Sequence, residues 1–162
     1  MGIAHEVRPS AVEELGAGVP GAVALENARR KAVAVAAGLP AGRLVLGVDT
    51  LVTLDGELFG KPRDAAHAAR TLGRLQGRTH QVVSGVVLLP VGERLAATDV
   101  TFRALTPAQI DGYVNTGEWQ GRAGGYAIQE RGAWLVERID GDYPNVVGLP
   151  VGALLELVGA PL

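Results

Sequence analysis

The amino-acid sequence predicts a single α/β domain, a mixed β-sheet flanked by helices, and three observations carry that prediction. Segments whose apolar residues recur at helical spacing alternate along the chain with short runs of branched residues. Turn signals fall between them, above all Asp55-Gly56, Pro90 to Glu93 and the glycines from Gly121 to Gly125. The length of 162 residues, with 48% hydrophobic and 20% charged residues, suits one packed core over residues 1–162.

Ala22 to Ala37 is rich in helix formers, with Leu25, Ala28, Ala32, Val35 and Ala36 on one face and Gly38 and Pro40 as the stop. RLVLGVD, from Arg43 to Asp49, reads as a short strand buried on both faces, which puts Asp49 and Thr50 at its end. LVTLDGELF folds back as a hairpin about Asp55-Gly56 and returns Gly60-Lys61-Pro62 toward Asp49. Asp64 caps a helix through Leu75 that Gly77 ends. QVVSGVVLLP and LAATDVTFRAL are two long antiparallel strands, and Thr106-Pro107-Ala108-Gln109 is a capping box that opens a helix ended by Asn115 to Gly117. YAIQ and AWLVERI read as strands, and Leu154, Leu155, Leu157 and Val158 belong to a closing helix.

Composition excludes several classes of function. A formal charge of -2 provides no broad basic face, so no nucleic-acid polymer is an expected partner. The absence of cysteine removes disulfides, thiolate metal sites and a thiol nucleophile. No apolar stretch is long enough for a bilayer, and MGIAHEVRPS lacks the charged start and apolar run of a secretory signal, so a soluble, cytoplasmic protein without membrane partners is expected.

Asp49 beside Thr50 has the chemistry of a metal ligand or a base, and taken alone it reads equally as a carboxylate capping the next turn. Lys61 lies between Gly60 and Pro62, so its ammonium is presented from a constrained backbone. The surrounding GELFGK only imitates a phosphate-binding P-loop: it is one residue short, lies in a hairpin, and has Pro62 where a hydroxyl residue is required. Lys31 is the only other lysine, in a chain that otherwise uses arginine as its cation. Solvated surface positions remain open for both lysines. Glu13 and Glu14 are a carboxylate pair suited to metal or to plain surface charge, and Gln129 carries an amide that can read a nucleobase edge or is simply a polar strand residue after a structural glycine turn. His5, His67 and His80 have no metal-ligand spacing and read as structural or exposed.

Together these segments resemble the Maf family of nucleotide pyrophosphatases, which share an ITPase-like α/β fold. The likeness runs in order through RKA (30–32), GVDT (47–50), LDGELFGKP (54–62), LQGRTHQVVSGV (75–86), VTFRAL (100–105), YVNTGE (113–118), GRAGGYAIQ (121–129) and IDGDYPNVVGLP (139–150). The resemblance implies hydrolysis of a nucleoside triphosphate to monophosphate and pyrophosphate with a divalent cation, magnesium or manganese. By matching position it makes Asp49 the water-activating carboxylate, Lys31 and Lys61 the phosphate-binding cations, and Glu14 with Asp49 the metal-site acids. Thr50 and Gln129 look like the branch acting on dTTP, UTP and 5-modified uridine triphosphates. A homodimer is also implied, with no sequence feature that defines its interface. The family's link to septum formation gives the alternative, a nucleotide-binding regulator with little or no catalysis.

One departure stands out. Family members begin with a strand and a Ser-x-Ser-Pro-Arg-Arg loop that adds an arginine to the triphosphate site, and this sequence starts after that point. A start codon placed too far downstream is the first expectation and a truncated chain the second; in either case a missing first strand leaves unpaired backbone at a sheet edge.

Overall fold

The computed structural model describes residues 4–159; the first and last three residues of the expected 1–162 domain lie outside the described part. Helix α1 (Pro20–Ala36) opens with proline at its first turn, where a missing N–H costs nothing. Strand β1 (Val45–Leu54) and β2 (Glu57–Phe59) form the hairpin expected at Asp55-Gly56, both of which adopt positive φ (53° and 81°) as a tight two-residue turn requires. Helix α2 (Ala65–Leu75) is capped by Asp64, whose side chain accepts from the His67 N–H. Strands β3 (Thr79–Leu89) and β4 (Gly92–Phe102) pair as the predicted long hairpin, and the capping box of Thr106 and Gln109 opens α3 (Pro107–Val114). Strand β5 (Val136–Asp140), α4 (Tyr143–Val147) and α5 (Val151–Val158) complete the order.

The sheet runs β2-β1-β3-β4-β5. The α/β class is as expected, but every described pairing is antiparallel where mixed pairing was predicted: hairpins join β1 to β2 and β3 to β4, and the α2 connection brings β3 back in the direction of β2 but on the other side of β1, so the two parallel strands are not neighbours. Helix α1 covers one face, packing Ala28 and Ala32 against Val45 and Val87. The opposite face carries the main core, where Val52, Leu54, Val82, Val100 and Phe102 meet Leu72 and Leu75 of α2 and Ile110 and Tyr113 of α3. Val86, Leu88 and Leu157 of α5 form a smaller cluster on that side.

Two glycines set how closely α1 approaches. A Cβ at Gly47 would run into the Ala28 carbonyl and one at Gly85 into Ala24, so both strands present bare backbone to the helix. The helix therefore lies close to the strand that holds Asp49.

Other expectations need correction. Asp49 and Thr50 lie in the middle of β1, not at its end, because LVTL continues the same strand into the hairpin. The strand is not buried on both faces, since Leu46 is 41% exposed. YAIQ is not a strand: Gly124 and Gly125, both near φ 70°, curl the chain into a 3-10 turn (Ala123–Gly125), and after Tyr126, which is extended, and Ala127 the chain turns again at 128–130. AWLVERI is half turn and half strand, with a 3-10 segment at Arg131–Leu135 before β5. Opposite β3, β1 is partnered by β2 only at Val52 to Leu54, so among the described residues its Val45–Leu51 half has one open edge. No described helix is long and apolar enough to cross a membrane.

Candidate active site

Strand alternation organises the site. Asp49 is paired with Gly85 and faces α1, while Thr50 is paired with Ser84 and faces the opposite side of the sheet. Both line one cleft, which therefore wraps round the open edge of β1.

On the α1 side, Asp49 is 5% exposed and both of its oxygens are held. Oδ1 accepts from Lys31 Nζ at 2.6 Å and Oδ2 from Asn27 Nδ2 at 2.9 Å. Asn27 and Lys31 are one helical turn apart on α1, so the same face that packs on Gly47 delivers both groups. Asn27 also fixes the preceding loop: its Oδ1 accepts from the Leu15 N–H at 2.8 Å and its Nδ2 reaches the Leu15 carbonyl at 3.2 Å. That clamp brings the neighbouring Glu14 to Lys31 Nζ at 2.6 Å, and Glu14 also meets Lys61 Nζ at 3.3 Å.

Burial alone would push the Lys31 ammonium down, but its bonds to Asp49 and Glu14 outweigh that and hold its pKa above the ordinary lysine value. Glu14 shows the counterpart: burial would raise its pKa, and Lys31 and Lys61 together hold it below the usual carboxylate range. Glu13 is exposed and does not join the cluster.

On the other side of β1, Thr50 Oγ1 lies 2.8 Å from Ser84 Oγ and 3.5 Å from the Gly148 carbonyl. Gly148 follows α4, which is anchored by the fully buried Asn145 through its Nδ2 bonds to the Val82 carbonyl and Thr98 Oγ1. Gln129 reaches the cleft from the turn that replaced the expected strand. The turn is held from below: the Ala127 N–H donates to Tyr113 Oη at 3.1 Å, and Tyr126 Oη lies 2.8 Å from His80 Nε2. Burial pushes the Tyr113 hydroxyl up to about 12 and raises that of Tyr126, so both stay neutral. Burial also lowers His80 to about 4, which keeps the ring uncharged.

The chain matches the family described as Maf-like protein over residues 1–160. It belongs to the Maf family. Among curated relatives, it is 49% identical to the dTTP/UTP pyrophosphatase of Moorella thermoacetica over 165 residues, covering 98% of this chain and 84% of the relative. It is 47% identical to the dTTP/UTP pyrophosphatase of Gloeobacter violaceus, covering 98% and 85%. The enzyme of that name from Symbiobacterium thermophilum is 50% identical over 134 residues, 81% of this chain and 69% of the relative.

All six residues singled out by the Maf resemblance meet at this place: Glu14, Lys31, Asp49 and Lys61 in one contact network, Thr50 and Gln129 along the same cleft. Sequence reasoning missed Asn27, whose signal was a polar residue one turn before Lys31 on an otherwise apolar helix face. It also passed over Arg122, which lines the cleft from the glycine-rich turn.

Proposed function

We propose that this chain hydrolyses dTTP and UTP, with 5-modified uridine triphosphates, to the monophosphate and pyrophosphate, using Asp49 as the base. The observation that carries the reading is the network in which Lys31 bridges Asp49 and Glu14 at 2.6 Å to each, inside a Maf-family chain close to half identical to dTTP/UTP pyrophosphatases.

In the reaction a water oxygen bonds to the α-phosphorus, the bond from that phosphorus to the bridging oxygen breaks, and pyrophosphate leaves. Asp49 takes the water proton. Each carboxylate oxygen has two lone pairs, so one on each remains after the bonds to Lys31 and Asn27, and those bonds fix where it points. Lys31 and Lys61 turn from Glu14 to phosphate oxygens, where a close opposite charge is worth up to about 4 kcal/mol at an effective dielectric near 20 before desolvation.

The donor set also fits a divalent cation. Glu14 and Asp49 are hard carboxylates close enough to share one ammonium, the oxygen chemistry that magnesium and manganese take. No third acidic or histidine ligand joins them among the described residues, so water and substrate phosphates would complete the shell. When bound, such an ion supplies charge neutralisation and Lewis-acid polarisation of the phosphates.

Thr50 lies on the far side of β1 from Asp49 and Gln129 lines the same cleft, which suits a substrate draped across the strand edge, phosphates toward α1 and base toward the Thr50 face. A base whose edge leaves those polar groups unpaired is disfavoured. The test is pyrophosphate release from dTTP, UTP, 7-methyl-GTP and ATP with magnesium. Preferential release from dTTP and UTP supports the reading. Tight nucleotide binding without release favours a regulatory role in septum formation instead.

A further inference from the structure

The charges of the cluster cancel. Lys31 is spent on Asp49 and Glu14 and Lys61 on Glu14, two cations against two carboxylates, whereas a triphosphate arrives with a large negative charge. Among the described residues that line the cleft, Arg122 is the third cation, and its guanidinium has neither an ion pair nor a hydrogen bond.

Its backbone, in contrast, is firmly held. The Arg122 N–H donates to the Trp119 carbonyl at 3.1 Å, and the Gly124 N–H to the Gly60 carbonyl at 3.2 Å. Gly124 sits so close over Val52, and Gly125 over Pro62, that a Cβ would come within 2.8 Å and 3.0 Å of their side chains. Their positive φ values would strain any other residue there as well. Arg122 thus stands on a rigid turn seated directly on Gly60-Lys61-Pro62, with a guanidinium that makes no hydrogen bond or ion pair among the described residues.

We propose that Arg122 binds the β- and γ-phosphates of the substrate, the part that leaves as pyrophosphate, together with Lys61. This rests on the triphosphate reading above. A guanidinium offers paired parallel donors that match phosphate oxygens, and a donor already aimed at the leaving pyrophosphate stabilises the charge that grows there as the bridging bond breaks. The guanidinium gives up no hydrogen bond or ion pair to the described residues when it turns to the ligand.

The test compares wild type with R122Q and R122K in two assays: magnesium-supported dTTP hydrolysis, and binding of inorganic pyrophosphate and of dTMP by calorimetry, which needs no turnover. The R122Q change is expected to lower kcat/KM for dTTP by about 10- to 100-fold and to weaken pyrophosphate by a similar factor. Binding of dTMP and the thermal midpoint are expected to stay as in wild type, and R122K to recover part of the loss. Unchanged pyrophosphate binding in R122Q overturns the assignment. Equal weakening of pyrophosphate and dTMP overturns it too, since that marks a distorted turn. If wild type hydrolyses no nucleotide, the activity reading fails, while the pyrophosphate titration still decides the role of Arg122.

Discussion

The two faces of the sheet are built from different materials. Under α1 the contacts are small, Ala28 and Ala32 against Gly47 and Ala24 against Gly85, and the buried carboxylate there, Asp49, has a partner on each oxygen. Under α2 and α3 the contacts are large and apolar, with His80, Phe102 and Tyr126 in edge-to-face packing at centroid distances of 4.8–5.5 Å. Of the buried polar groups on that side, His80 has one nitrogen on Tyr126 and leaves Nδ1 without a hydrogen-bond partner among the described residues. Close backbone packing on the first face brings charged groups into register for chemistry. The second face holds the Gly121 to Gln129 turn in place by bulk and by two hydroxyls.

Changing each face is expected to break a different property. On the α1 side, Asp49→Asn removes the base and is expected to cut turnover by roughly 10² to 10⁴ at saturating dTTP. The far-UV spectrum and cooperative unfolding are expected to persist. Turnover close to wild type would remove Asp49 from the mechanism.

The aromatic face is expected to respond to acid instead. The folded His80 titrates near 4 against 6.5 for an unburied ring. Between those values the unfolded chain binds a proton that the folded one does not, so stability falls as pH is lowered through that window, by about 3 kcal/mol in full. Urea denaturation at pH 7, 5.5 and 4.5 measures the slope, and His80→Leu is expected to flatten it. An equal slope in that variant would place the acid sensitivity elsewhere.

Smaller changes sharpen the contrast. Gly47→Ala drives a methyl into the Ala28 carbonyl and is expected to cost about 1–3 kcal/mol. It is also expected to lower kcat, because α1 carries Asn27 and Lys31. Tyr126→Phe strips His80 of its remaining partner and is expected to cost about 1–2 kcal/mol, with KM rising more than kcat falls. A kcat loss as large as that of the glycine change would erase the division between the two faces.

Much of this was legible in the sequence because it depends on local chemistry. The Asp55-Gly56 hairpin, the Asp64 cap and the Thr106-Gln109 box are each set within a few residues, and each formed as read. The proposed site residues came from the family resemblance, and Lys31 also stood out as one of only two lysines in the chain. What escaped depends on distant partners. YAIQ has strand-like composition, yet its fate is decided by Val52 and Pro62 pressing on Gly124 and Gly125, residues far away in the chain. The mid-strand place of Asp49 depended on whether VDT and LVTL join, which pairing with β3 settles. Asn27 looked like one more helix residue because its partners, Leu15 and Asp49, lie 12 and 22 positions away.

The most direct test of the central claim is hydrolysis of dTTP by the wild-type chain with magnesium in water enriched in the heavy oxygen isotope, with both products read by mass spectrometry. Attack at the α-phosphorus beside Asp49 predicts one heavy oxygen in dTMP and none in pyrophosphate. Label in the pyrophosphate, or release of single phosphates, would contradict the account.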